Sequence, residues 1–315
     1  MNFFKTNVGL LKKRGNIVFA NTVNSLISPF TNIVFSFLII RLCGIELWGS
    51  FVYYFLYATL ASLILNWGNK DHLLREFSKA PASISSLWLQ SFLTRLILLV
   101  PLAVVLFVSF SGKEAAIIFV WSFLISLVSS FDPLVTYYRK FRSSVYAEIV
   151  SSLIMFVLIY LFAGELNIRY LLLVYSSYYI IKIFWLTFMF AGILSKPGIF
   201  HLSGLIRFSV LGSSSMFFLL GLTGMLGSRI DQYIVAYYLP KDALGSYQVL
   251  KNFLLYFQSV AVFMVFPFVK NIYRLNDESL NKLNKLMILS GIVIIIPAVI
   301  LFWIILNYIY KLSFS

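Results

Sequence analysis

The chain has 315 residues, 61% hydrophobic and 11% charged, with a mean hydropathy of +0.92. Soluble domains run about 45–50% apolar and about 25% charged, so this composition excludes a soluble protein and implies an integral membrane protein with room for about nine or ten spans. The formal net charge of +14 would suit a nucleic-acid binder, but the placement of the charge along the chain speaks against that partner.

The first 16 residues carry Lys5, Lys12, Lys13 and Arg14. The apolar run that follows is too long for a signal-peptide core and lacks a small-residue cleavage pattern, which predicts an uncleaved first span. Apolar runs bounded by charges or turn residues predict nine helices, at 17–40, 47–66, 88–111, 116–136, 145–163, 170–194, 209–237, 243–268 and 287–310. The expected fold class is therefore all-α, a polytopic membrane protein. With the N-terminus in the cytoplasm, sixteen of the 25 basic residues fall in inner segments, five in outer segments and four (Arg95, Lys182, Arg229, Lys251) within spans. That asymmetry predicts the orientation, and it draws the inner face to anionic membrane lipids.

The outer loops are too short to form a domain. Cys43 is the only cysteine, so an intramolecular disulfide is excluded. His72 and His201 stand in separate loops without clustered carboxylates, and the chain carries no zinc-helix motif, phosphate loop or serine elbow. Neither a metal, a cofactor nor an enzyme activity is expected.

Polar residues inside the spans carry the functional signal, because charge at bilayer depth is costly and faces a partner or a cavity. In the first span Asn21, Asn24, Ser25, Ser28 and Asn32 lie on one helix face, beside a kink expected at Pro29. That face lines a cavity or bonds to other helices. In the sixth span Lys182 shares a face with Tyr175 and Tyr178; it serves a ligand or pairs with Asp132 or Glu148. In the seventh, Gly224, Gly227 and Asp231 share a face, which also suits close helix packing. Arg229 stands about 200° around the helix from Asp231 and so cannot be its simple partner. Tyr247, Lys251 and Gln258 share a face of the eighth span, with Lys251 at about the depth of Arg229. The two cations form an anion site or snorkel to the outer headgroups.

A repeat runs through these segments. Ile45-Glu46-Leu47-Trp48-Gly49-Ser50-Phe51 aligns with Lys241-Asp242-Ala243-Leu244-Gly245-Ser246-Tyr247, and the same offset carries the third span onto the ninth. Two parallel copies of a six-helix unit imply two lobes with a site between them. The domains expected are a six-helix lobe at 1–195, a cytoplasmic linker at 196–208 and a partial lobe of three helices at 209–315.

The stretch from Arg229 to Tyr247, the Arg41-Leu-Cys-Gly44-Ile-Glu-Leu-Trp-Gly49 turn and the Asn/Pro-bearing first span resemble the Wzx-type polysaccharide flippases. These belong to the multidrug/oligosaccharidyl-lipid/polysaccharide exporter superfamily. The resemblance implies a two-lobe MATE-like fold in the bacterial inner membrane and a cationic central cavity. It also implies movement of an undecaprenyl-diphosphate-linked oligosaccharide, an O-antigen or capsule unit, to the outer leaflet. A glycan polymerase and chain-length machinery would be partners. Members of the family have about twelve helices, so the second lobe is expected to be incomplete, as in a truncated product. On this reading Lys182, Arg229 and Lys251 attract the diphosphate, Asp231 balances or gates them, and Asn21, Asn24 and Asn32 admit the sugar. Alternative functions are a multidrug antiporter, a membrane glycan polymerase or ligase, and an inactive remnant.

Overall fold

The computed structural model describes residues 26–195 and 206–265, together with the single positions 23, 281, 284, 285, 288 and 303. The regular structure of these residues is helical throughout. The helices are α1 (Leu26–Cys43), α2 (Ile45–Asn66), α3 (Asn69–Lys79), α4 (Ile84–Leu96), α5 (Leu99–Ser109), α6 (Gly112–Ser129), α7 (Asp132–Tyr137), α8 (Phe141–Leu161), α9 (Ile168–Leu194), α10 (Phe208–Tyr238) and α11 (Lys241–Val265). Among the described residues, seven helical stretches are long and apolar enough to cross a membrane: α1, α2 with α3, α4 with α5, α6 with α7, α8, α9 and α10. They overlap the first seven spans expected from the sequence, the second being longer by α3. The eighth is helical as α11, and the ninth lies outside the described residues apart from Ile288 and Trp303.

Prolines set several of the helix boundaries. Pro101 has no N–H and crowds the carbonyl four residues earlier, and the third span accordingly breaks at Ile97–Leu98 into α4 and α5 instead of running unbroken. Pro133 acts in the same way on Ser129, where α6 ends and the short α7 takes over. Pro240 forces Leu239 into an extended conformation, φ −113° and ψ 157°, and closes α10. At the start of α9 the Asn167 side chain accepts hydrogen bonds from the backbone N–H groups of Arg169 (3.0 Å) and Tyr170 (3.2 Å), capping the helix. The segment after α2, expected as a loop, forms α3. This helix turns Leu73 and Phe77 inward and its charged residues outward.

The core between α1, α2, α6 and α9 is aromatic. Phe35 of α1, Trp48 and Phe51 of α2, Trp121 of α6 and Tyr175 of α9 are all buried; Trp48 stacks on Phe51, and the other rings meet edge-on or tilted at centroid distances such as 5.0 Å for Phe35–Phe51, 5.2 Å for Phe51–Trp121 and 4.9 Å for Phe35–Tyr175. Such pairs contribute about 0.5–1.5 kcal/mol each beyond burial. Trp121 Nε1 donates to Ser176 Oγ at 2.8 Å, which satisfies the indole. On the outside, Val104 and Val108 of α5, Val157 of α8 and Phe184 and Phe188 of α9 are exposed. An apolar exterior over closed helical hydrogen bonding is what a hydrocarbon solvent requires.

The helices of the second copy pack on α2. Contacts from Gly68 to Ser214, Leu63 to Gly221, Thr59 to Arg229 and Leu56 to Tyr233 show α10 running antiparallel to α2. One end of this contact is clasped by Trp67, whose indole stacks on Phe218 at 4.1 Å and donates to the Leu211 carbonyl at 3.0 Å. Gly68, at φ +68°, sits so close that a Cβ would come within 2.6 Å of the Phe218 nitrogen. Only glycine meets both demands without strain.

At the other end α2 meets α11. A Cβ on Gly49 would overlap the Lys241 carbonyl oxygen, and one on Gly245 would lie 2.8 Å from the Ile45 carbonyl oxygen. Ile45 and Lys241 open the two helices and are related by the repeat offset, 241 − 45 = 196, as are Gly49 and Gly245. The contact is therefore reciprocal: each copy offers its glycine to the first-turn carbonyl of the other, the signature of a local two-fold relation.

Candidate functional site

Within the spans there are two ion-paired clusters, Lys182–Glu148 and Lys251–Asp231, and two arginines without an acid partner among the described residues: Arg229, where α10 faces α2, and Arg95 on α4. Arg229 Nη1 donates to Thr59 Oγ1 of α2 at 3.3 Å, and Tyr179 of α9 and Tyr233 of α10 are near enough to interact with its charge. Tyr233 donates to the Leu56 carbonyl at 3.1 Å and packs on Tyr57 at a ring distance of 5.8 Å. Among the described residues Arg229 has no carboxylate partner. Its surroundings are hydroxyls and tyrosine rings, which orient a guanidinium without neutralising it.

Asp231, two residues on, faces elsewhere, as the helical spacing predicts. Its Oδ1 accepts from the Lys251 ammonium and its Oδ2 from the Tyr247 hydroxyl. Residues 231 and 251 lie at similar distances along α10 and α11 from the Pro240 turn, so the antiparallel hairpin brings them together. Of the two cations read at matched depth, Lys251 is thus paired with Asp231, and Arg229 has no acid partner among the described residues. Beside this cluster a run of amides joins the same two helices. Gln232, buried, donates to Gln248 Oε1, and Gln248 donates to Asn252 Oδ1 at 2.7 Å.

Between α8 and α9, Lys182 Nζ donates to Glu148 Oε2 at 2.5 Å, while Tyr178 donates to Glu148 Oε1 at 2.6 Å. The Glu148 side chain is 3% exposed and that of Lys182 16%. Lys182 is thus held by a carboxylate and a tyrosine, and of the two partners read as open, Glu148 forms the ion pair. The same turn of α8 reaches α1, where Thr31 Oγ1 lies 3.3 Å from Ser152 Oγ and Ser152 donates to the Glu148 carbonyl. Asn32, next in sequence, is half-buried. Asn21 and Asn24 lie outside the described residues, as does the Gln258 side chain.

The Gly224 and Gly227 face, which also suited close helix packing, has nothing within 4 Å of an added Cβ; close packing occurs instead at Gly49, Gly68 and Gly245. Thr59, Tyr179 and the Gln232–Gln248–Asn252 run were not foreseen as site residues. The run does leave a trace in the sequence, since Gln248 and Asn252 are four residues apart on the Lys251 helix. No group of three or more His, Cys, Asp or Glu side chains able to hold a metal occurs among the described residues. Comparison with protein-family models, with curated proteins and with solved structures gives no match to this chain.

Proposed function

We propose that this chain is a flippase of the bacterial cytoplasmic membrane, moving an undecaprenyl-diphosphate-linked oligosaccharide from the inner to the outer leaflet by alternating access. The observation that carries the reading is Arg229, a cation with no acid partner among the described residues, on a helix of one repeat facing the other repeat. A diphosphate is the complementary charge, and a guanidinium flanked by Thr59 and tyrosine hydroxyls binds its oxygens in the forked geometry that arginine favours. Lys251 with Asp231 and Lys182 with Glu148 supply cations already balanced by carboxylates; these hold charge near the path without trapping the substrate. The amide run and Asn32 suit sugar hydroxyls, which need donors and acceptors in alternation.

The test is a leaflet assay in proteoliposomes loaded with diphosphate-linked oligosaccharide, comparing wild type with Arg229→Gln. The reading expects at least a tenfold loss of translocation at unchanged folding, with partial rescue by Arg229→Lys. Normal translocation by Arg229→Gln would overturn it.

A second reading, a multidrug antiporter, gains from the pairing of two of the three expected cations and from the 41% exposure of the Asp231 side chain. Cation efflux that depends on Asp231, without oligosaccharide movement, would favour it.

A further inference from the structure

Arg95 lies apart from all of these groups, inside the first lobe where α2, α4 and α6 meet. It is 5% exposed and forms no ion pair with any described Asp or Glu. Its Nε donates to the Ser91 carbonyl at 3.2 Å, Nη1 to Asn66 Oδ1 at 3.3 Å and Nη2 to Ser130 Oγ at 3.1 Å. A guanidinium has five N–H groups, so two remain, one on each terminal nitrogen.

The neighbours offer these two few acceptors. Asn66 Oδ1 already takes a second bond from Ser126 Oγ at 3.2 Å. Ser130 Oγ spends its proton on the Ser126 carbonyl at 2.7 Å, and the Ser130 carbonyl accepts from Trp88 Nε1 at 2.7 Å. The one amide oxygen of Asn69 accepts from Ser91 Oγ at 2.7 Å, while its Nδ2, in a residue 2% exposed, is buried without a partner. The cluster of Asn66, Asn69, Ser91, Arg95, Ser126 and Ser130 thus has a net positive charge, a surplus of donors and no acid. A buried polar group left in that state costs several kcal/mol in hydrocarbon, so the chemistry calls for an acceptor that is also an anion.

The geometry provides a place for one. A narrow cavity is walled by Arg95 and Ser126 on its polar side and by Leu65, Phe92, Leu99 and Phe123 on its apolar side. It has room for about one water-sized guest. A halide ion, monatomic and only a little larger than water, is the common anion nearest that size; sulfate, phosphate and lipid headgroups are far larger. We propose that this cavity is a halide site, in which chloride accepts from the two free N–H groups of Arg95 and balances its charge.

The experiment is thermal unfolding of the purified chain in detergent at constant ionic strength, with gluconate replaced stepwise by chloride or bromide. Wild type is expected to gain stability in a saturable way, because a ligand that binds only the folded state raises the midpoint with concentration. Two variants locate the effect. Arg95→Gln removes the charge and abolishes the response. Leu99→Phe fills the cavity, leaves the polar cluster intact, and shifts half-saturation by more than tenfold. A wild type whose midpoint is the same in gluconate and chloride overturns the proposal. So does a response that survives unshifted in Leu99→Phe, and this second arm decides the matter even where Arg95→Gln fails to fold.

Discussion

Replacing Gly49 by alanine tests the reciprocal crossing of α2 and α11 most directly. The added methyl would overlap the Lys241 carbonyl oxygen, which belongs to the backbone of a helix and cannot rotate aside. Relief requires the two helices to separate around the point of closest approach. Overpacking of this kind costs about 1–3 kcal/mol, and a clash with backbone belongs near the top of that range. Against it stands the better helix propensity of alanine, about 1 kcal/mol. The net expectation is a destabilisation of about 2 kcal/mol, read as reversible unfolding in mixed detergent micelles. Gly245→Ala, whose Cβ would lie 2.8 Å from the Ile45 carbonyl oxygen, should show the same sign and a smaller size. Gly224→Ala is the internal control, because nothing lies within 4 Å of its new methyl. It should be neutral or stabilising by up to about 1 kcal/mol. A Gly49→Ala protein as stable as Gly224→Ala would refute the reasoning, since both would then report propensity alone.

Other outcomes follow from the same contacts. Glu148→Leu leaves Lys182 without its acid and should destabilise by about 3–5 kcal/mol, while Glu148→Leu with Lys182→Met should return to within about 1–2 kcal/mol of wild type; equal losses in the two proteins would argue against a buried pair. Trp67→Phe keeps a ring against Phe218 but loses the bond to the Leu211 carbonyl, an expected cost of about 1 kcal/mol; Trp67→Ala also loses the stack and should cost about 3 kcal/mol, measured by the same unfolding assay. Asp231→Asn should slow translocation less than Arg229→Gln does in the proteoliposome assay, because the carboxylate is taken up by Lys251 and Tyr247 of α11.

Much of this architecture was legible from the chain because the bilayer imposes one length and one composition on every span. The limits of that reading are physical. The 88–111 run looked continuous because its side chains are uniformly apolar, and only the backbone consequence of Pro101 divides it. Residues 69–79 looked like a loop because hydropathy averages out the alternation of Leu73 and Phe77 with charged neighbours that makes α3 a helix with one buried face. A single helix shows which of its residues share a face but not what stands opposite. Arg229 and Asp231 could therefore be separated by angle, and Tyr247 and Lys251 grouped by spacing, while the bonds from both of the latter to Asp231 depend on how the α10–α11 hairpin closes. The Arg95 cluster was hidden for the same reason: its six members come from three spans and the intervening turns.

The glycine crossing also bears on how such a molecule could move. Two helices that touch backbone to backbone at one point can swing about that point as scissor blades do, changing the angle between them while the contact persists. Side chains that interlock would have to leave their rotamers for the same swing; a pair of glycines meeting a pair of carbonyls does not. At the far end of α2, Trp67 and Gly68 hold α10 through a ring stack and a directed hydrogen bond. The joint between α2 and the α10–α11 hairpin thus meets backbone to backbone at one end and ring to ring at the other, so a change in the angle at Gly49 and Gly245 would be levered along α2 into strain at the Trp67 clasp.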